Sequence, residues 1–287
     1  MGNSYEDRTW TSADGLSLHY RDYVGPEHYA GPPVLCLHGL TRNSRDFADL
    51  AEHLSTTRRV IVPEMRGRGM SDYASDSDTY NPVQYVADVE LLLSELEIKD
   101  FIAVGTSMGG LMTMMLAHAQ PGRILAAVMN DIGPEINPEG VKRIEGYVGH
   151  GRSYPTWIHA ARSLSEVHGS AFPDFELDQW LEMAKRTLVV TQNGRISYDY
   201  DMAIAEPFRK PGGAAPANLW LAFEALRDVP MVLLRGELSD LLTEDTVKQM
   251  QARNPALRSV TIPRVGHAPT LDEPESRAAI DALLNGL

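Results

Sequence analysis

The sequence predicts an α/β fold: a mostly parallel sheet with helices on both faces, into which a helical cap is inserted. Three observations carry this. Short apolar strand signals alternate with helix signals along most of the chain, the alternation fails once between about residues 134 and 216, and it then resumes to the end. Strands that read as continuous apolar runs, rather than alternating ones, are those of a sheet buried on both faces. At 287 residues the chain fits one domain carrying an insertion, with 1–133 and 217–287 as the core and 134–216 as the cap.

In order along the chain, strand signals at Arg8–Ser12 and Leu16–Tyr23 flank the turn at Ala13-Asp-Gly15 and predict a hairpin. Pro33–His38 is an apolar strand, Ser44–Leu54 a helix, Arg59–Pro63 a strand and Pro82–Leu96 a helix. A strand at Phe101–Gly105, a helix at Leu111–His118 and a strand at Ile124–Asn130 follow. In the insertion, helical stretches at Pro155–Val167 and Leu177–Thr187 follow one another with no strand expected between them, and Pro211-Gly-Gly-Ala-Ala-Pro216 closes it with hinge-like composition. The last elements are a strand at Met231–Arg235, a helix at Glu244–Arg253, a strand at Arg258–Ile262 and a helix at Glu273–Leu284. No fixed-period repeat and no low-complexity tract interrupts this order.

Composition narrows the function. A net charge of −13 with no compensating Lys/Arg cluster argues against a nucleic-acid partner, whose phosphates would be repelled. Cys36 is the single cysteine, so no disulfide within the chain is possible, and its apolar setting, Val34-Leu-Cys-Leu37, predicts a buried, inert thiol. Glu6, Asp7 and Arg8 stand where a signal peptide needs an apolar core, and no stretch approaches 18 consecutive apolar residues. The expected location is cytoplasmic, with no membrane partner. There is no His-Glu-x-x-His, no phosphate-binding loop ending in Lys-Ser/Thr and no dinucleotide fingerprint, and the nine-residue spacing of His150, His159 and His168 does not align metal ligands on one helix face. No cofactor and no metal are expected.

The chemistry gathers at Gly105-Thr-Ser-Met-Gly-Gly110, where an apolar strand runs into a helix through Gly-x-Ser-x-Gly. A serine on so tight a turn is held in strained backbone angles, and the helix beyond it aims free N–H groups at developing negative charge, which makes Ser107 the candidate nucleophile. A hydroxyl needs an imidazole to take its proton and a carboxylate to orient that imidazole. His267, in the loop between the last strand and the last helix, is the candidate base. Asp240, just past the preceding strand, is the candidate acid, with Asp131 at the end of the strand after Ser107 as the alternative. The backbone N–H groups of Met108 and of Leu40, in Leu37-His-Gly-Leu-Thr-Arg42, are the expected oxyanion donors, and His38 is expected to be structural.

These motifs, with Arg66-Gly-Arg-Gly69 and Ser71, resemble those of the α/β-hydrolase superfamily, and the chain is similar to its capped branch of esterases, lactonases, epoxide hydrolases, haloalkane dehalogenases and carbon–carbon bond hydrolases. The resemblance covers about 1–133 and 217–287. It implies a cofactor-free serine hydrolase that cleaves a small ester or lactone through an acyl-enzyme on Ser107. Ser107 speaks against the epoxide hydrolases and dehalogenases, which carry aspartate at that position. The alternatives are a carbon–carbon hydrolase of a ring-cleavage product using the same triad, disfavoured because Leu40-Thr-Arg42 stands where those enzymes carry extra glycines, and a ligand sensor on the same fold. Glu64 departs from the family's aspartate at a position that buttresses loops. The rings of the cap, Tyr147, Tyr154, Trp157, Trp180, Tyr198 and Tyr200, predict a largely apolar small-molecule pocket in which Trp157 and Trp180 shape the substrate, and Arg42 and Arg162 are candidates to hold a substrate carboxylate, with a solvated surface position as the alternative for each. Composition does not specify an oligomeric state.

Overall fold

The computed structural model describes residues 4–29, 31–210 and 218–287. The chain opens with strands β1 (Glu6–Thr11) and β2 (Ser17–Tyr23), then β3 (Val34–Leu37), helix α1 (Ala48–Ser55), β4 (Val60–Pro63), α2 (Pro82–Glu95), β5 (Phe101–Thr106), α3 (Met108–Ala119) and β6 (Ile124–Asn130). The inserted region follows, with α4 (Pro138–Glu145), β7 (Ser153–Tyr154), α5 (Trp157–His168), α6 (Leu177–Thr187), β8 (Leu188–Val190), β9 (Ile196–Tyr198) and α7 (Glu206–Arg209), and after it comes α8 (Trp220–Glu224) in the returning core. The last elements are β10 (Met231–Gly236), α9 (Glu244–Arg253), β11 (Leu257–Ile262) and α10 (Pro274–Leu284).

Eight strands form one sheet in the order β1-β2-β4-β3-β5-β6-β10-β11. Only β2 runs antiparallel to its neighbours; from β4 to β11 every pairing is parallel. The central strands β3, β4 and β5 are buried at every residue, which is why they read as unbroken apolar runs. Two apolar clusters cover the two faces, one around Leu35, Phe101, Met112 and Leu233, the other around Val34, Phe47, Val104 and Leu234. Alternate residues of the same strand thus feed opposite cores. Cys36 is fully buried, and burial pushes its thiol far above the ordinary range, as expected of an inert core residue. Among the described residues no helix is long and apolar enough to cross a membrane.

The insertion differs from expectation in one respect. It contains a small antiparallel sheet, β7-β9-β8, where only helices were expected. The strands are two or three residues long, too short for periodicity to register. Their turn is nevertheless written in the sequence: Asn193-Gly194 sits between Leu188-Val-Val190 and Ile196, and Gly194 has φ of 74°, the conformation an Asn-Gly hairpin turn demands. The Pro211–Pro216 segment lies outside the described residues.

Arginines tie the inserted region to the core. Arg45 donates to the carbonyls of Lys185, Arg186 and Leu188 and pairs with Asp199, and Arg186 pairs with Asp49 and Asp272. The Gly266 N–H, next to the candidate base, donates to the Ala171 carbonyl at 2.6 Å. The histidine loop is therefore held in part by the region that covers it.

Candidate active site

β5 delivers Ser107 at the start of α3 with φ 52° and ψ −115°, a backbone conformation that costs a non-glycine residue about 1–3 kcal/mol unless its surroundings impose it. They do. The Ser107 N–H donates to the Asn130 carbonyl, and α3 passes so close to β3 that a Cβ on Gly109 would fall 1.9 Å from the Leu37 carbonyl oxygen. Only glycine permits that approach, and the approach holds the turn.

The Ser107 hydroxyl lies 2.8 Å from His267 Nε2, and His267 Nδ1 lies 2.8 Å from Asp131 Oδ2. Because a carboxylate only accepts, the proton sits on Nδ1 and leaves Nε2 free to receive the serine proton. Asp131 is fully buried, and it also accepts the Gly236 N–H on Oδ1 at 2.9 Å and the Ser239 hydroxyl on Oδ2 at 2.6 Å. Asn130 spans the site from below, its amide reaching Thr106 Oγ1 and the Pro269 carbonyl of the histidine loop.

Asp240, expected as the acid, does not hold His267. It makes a two-pronged ion pair with Arg143 of α4, which lowers its pKa against the opposing effect of burial. The carboxylate beside the imidazole comes instead from Asp131, the alternative. The physical reason lies in the sheet: β6 and β10 are adjacent, so the loops after both end near the same point. Asp131, in the left-handed region at φ 55°, turns back into the site, while Asp240 turns outward to Arg143.

The loop after β3 carries Leu40 against the pocket. Its shape is fixed from three sides. His38, fully buried and held near pKa 4 chiefly by burial, donates from Nδ1 to the Gly39 carbonyl and accepts the Met65 N–H on Nε2, so it is structural as expected. Arg68 Nε donates to the Leu40 carbonyl at 2.9 Å while its Nη1 holds the Arg66 carbonyl and the Tyr85 hydroxyl. Glu64 accepts from the Ser44 N–H and hydroxyl, the Met70 N–H and His19. Burial opposes the charge on Glu64, but these donors more than offset it and hold the group at about 2. Met108 begins α3, where first-turn N–H groups have no partner within the helix.

The cavity above Ser107 is about 100 Å³. Leu40, Arg42, Ile144, Tyr147, Leu164, His168, Phe172, Met183, Tyr198, Tyr200 and His267 line it. Arg42 is among these residues. Trp157 and Trp180 are not: neither lines this cavity; Trp180 belongs to the second apolar cluster, stacked edge-on against Phe172 and Phe175 with its indole N–H on the Phe175 carbonyl, and Trp157, half-buried, packs against that cluster. Trp180 is large enough to fill the interior of the inserted region, and that use has taken it. His168 and Met183 carried no signal of their own; each is a helix residue whose inward direction follows from packing. A wider groove of about 490 Å³ adjoins the cavity, the two sharing Arg42, Met183 and Thr270. Among the described residues no group of three or more His, Cys, Asp or Glu side chains is arranged to hold a metal ion.

An α/β sheet of this order, with a strained serine after its fifth strand bonded to an imidazole and a buried carboxylate, has the architecture of a hydrolase. The chain belongs to the alpha/beta hydrolase family, whose model matches residues 34–280. It is 37% identical over 277 residues to a 3-hydroxybutyrate-oligomer hydrolase of Cupriavidus necator, covering 94% of this chain and 93% of that one. A 2-(acetamidomethylene)succinate hydrolase of Mesorhizobium japonicum is 26% identical over 243 residues, 84% and 83% of the two chains. Among solved structures, an alpha/beta hydrolase from Novosphingobium aromaticivorans is 56% identical, covers both chains completely and superposes with a TM-score of 0.96.

Proposed function

We propose that the protein is a cofactor-free serine hydrolase of small carboxylic esters, with short hydroxyacyl oligoesters as the leading substrate class. The observation that carries the reading is the chain of two 2.8 Å hydrogen bonds from Ser107 through His267 to Asp131, built on a serine whose backbone is held at φ 52°. In this reading Ser107 Oγ attacks the ester carbonyl as its proton passes to His267 Nε2, and Asp131 stabilises the resulting imidazolium. The N–H groups of Leu40 and Met108 meet the tetrahedral oxyanion. Collapse expels the alcohol, which takes the proton from Nε2, and water activated by the same nitrogen then releases the acid from the acyl-enzyme.

The size of the cavity supports a small substrate. The cavity of about 100 Å³ beside Ser107 suits a short acyl or hydroxyacyl group, and the adjoining groove of about 490 Å³ leaves room for the rest of a short oligoester. Residues 134–216 act in this reading as a cap that sets which acyl groups enter. The substrate of the Cupriavidus relative, an oligomer of 3-hydroxybutyrate, has repeat units of this size.

A fluorophosphonate tests the mechanism, because it traps a serine whose proton is already being taken by a base. Wild-type protein is expected to be labelled at Ser107 and to hydrolyse 4-nitrophenyl acetate and the linear dimer of 3-hydroxybutyrate. Ser107→Ala should lose labelling and at least about 10⁴ in kcat. Labelling at another serine in that variant would refute the assignment, and a dienoate ring-cleavage product turned over about a hundredfold better than every ester would move the reading to carbon–carbon cleavage.

A further inference from the structure

The cavity has an electrostatic polarity that ester hydrolysis does not require. Arg42, Tyr147 and His168 line it together with Ser107 and His267. Arg42 stands beside Ser107: a Cβ on Gly39 would lie 3.4 Å from Arg42 Cγ and 3.7 Å from Ser107 Cβ, so the two side chains straddle one point of the loop. The Arg42 guanidinium is held along one edge by Asp46, which takes Nε at 2.7 Å and Nη2 at 2.6 Å, and Nη1 remains outside that pair. Across the pocket the Tyr147 and His168 rings meet edge-on at 5.1 Å, and Arg143, anchored on Asp240, reaches the Tyr147 hydroxyl.

His168 is held near pKa 4 first by burial and then by the positive charges of Arg42 and Arg143, so its imidazole is neutral. Its ring lines the cavity. The adjoining groove has the opposite character, with Asp178, Glu182, Asp272 and Glu273 facing Arg186 alone beyond Arg42. An anionic group that passes this groove meets Arg42, Tyr147 and His168 in the inner cavity.

We propose that Arg42, with the Tyr147 hydroxyl and the His168 ring, forms a carboxylate subsite that takes the free acid end of the substrate. This inference rests on the esterase reading and narrows it: the preferred substrate is an ester bearing a free carboxylate a few bonds from the scissile carbonyl, not a neutral ester. Arg42 follows Leu40 by two residues, at most about 7 Å of chain, and the turn closed by the Arg42 N–H on the Gly39 carbonyl shortens that span. In the linear dimer of a 3-hydroxy acid, four bonds separate the scissile carbonyl carbon from the terminal carboxylate carbon, which keeps the two within about 5 Å of each other and so keeps the carboxylate near the Ser107 that Arg42 stands beside.

The test is calorimetric binding to Ser107→Ala protein of the linear 3-hydroxybutyrate dimer and of its methyl ester, which differ only in that terminal charge. The free acid is expected to bind at least about tenfold more tightly. In the Arg42→Gln, Asp46→Asn background, where no orphaned Asp46 carboxylate is left, the two ligands should bind within about twofold of each other. Equal affinities in the Ser107→Ala protein, no binding of either ligand, or a preference that survives loss of Arg42 would each overturn the subsite. Turnover of 4-nitrophenyl acetate by wild-type protein reports separately on the esterase reading, so failure of one is distinguishable from failure of the other.

Discussion

Replacing Asp131 by Asn discriminates between the two carboxylates that compete for the role of catalytic acid. An asparagine keeps the shape of aspartate but puts an NH2 group where one oxygen stood, and every neighbour of Asp131 is a donor: the Gly236 N–H on Oδ1, and Ser239 Oγ and His267 Nδ1 on Oδ2. With the NH2 group toward Gly236, two N–H groups face each other in a fully buried site, and the backbone cannot turn away, a cost of about 1–3 kcal/mol. With the NH2 group toward His267, the Ser239 hydroxyl rotates to accept, and the imidazole must accept on Nδ1 and carry its proton on Nε2. The second arrangement is therefore favoured, by roughly 5- to 150-fold at 1.4 kcal/mol per decade. It removes the base from Ser107, because the nitrogen that should receive the serine proton now holds one. The expected loss in kcat is about 10⁴, close to 5.4 kcal/mol of barrier, with KM little changed. Asp240→Asn breaks only a partly exposed pair with Arg143, and such pairs contribute about 0–1 kcal/mol to stability; turnover of 4-nitrophenyl acetate should stay within about tenfold of wild type. Initial rates on that ester, with folding checked by circular dichroism, decide the matter. An inactive Asp240→Asn beside a near-normal Asp131→Asn would refute the argument.

Other perturbations test what supports the site. Arg68→Met removes the donors to the Leu40 and Arg66 carbonyls, so kcat should fall about 10- to 100-fold as the oxyanion loop relaxes, with unfolding by urea shifted to lower concentration; unchanged kcat would show that the loop holds itself. Glu64 is held at about 2, below its ordinary 4.5, so the stability it contributes is present above pH 4.5 and fades as pH falls toward 2; His19, whose pKa is raised by Glu64 and Asp7 in spite of burial, contributes below pH 6.5 and loses that contribution as pH rises through its raised folded value. The difference in melting temperature between wild type and Glu64→Gln should therefore be largest between about pH 4.5 and 6.5, and a difference that does not vary with pH would contradict the pairing. Trp180→Ala should destabilise by about 3–5 kcal/mol in urea denaturation while leaving the ranking of ester substrates intact, since the indole packs on Phe172 and Phe175 outside the pocket; a reordered ranking would return Trp180 to the pocket wall.

The core was legible because its strands are buried on both faces and its helices begin at recognisable caps. Asn81 and Thr243, for example, accept from backbone N–H groups of the first turns of α2 and α9, and the sequence places both helices to within a residue. Ser107 and His267 were legible because each lies in a turn that follows a parallel strand, where an α/β sheet exposes its functional loops. The inserted region was less so. Its strands are too short for periodicity, and its tryptophans compete for two uses, pocket wall and interior filler, that composition alone does not separate. His168 became visible only once α5 was packed, since its direction depends on how that helix is rotated.

The acid was ambiguous for a reason that the finished site explains. What His267 requires is a carboxylate at one point in space, not on one strand, and the carboxyl ends of β6 and β10 lie side by side around that point. Here the two strands divide the work. The turn after β6 supplies the carboxylate of Asp131, and the turn after β10 supplies the donors that hold it, the Gly236 N–H and the Ser239 hydroxyl. Ser239 Oγ also lies within reach of the Leu241 and Leu242 N–H groups, so the turn that carries Asp240 is wound around the same hydroxyl that holds Asp131. With Ser239 committed inward, the next residue is directed outward, and Asp240 meets Arg143 of α4. The carboxylate after β10 thus stands away from His267 and joins the core to the inserted region beside Tyr147, which makes the placement of the His267 carboxylate after β6 and the anchoring of the proposed carboxylate subsite two consequences of one turn.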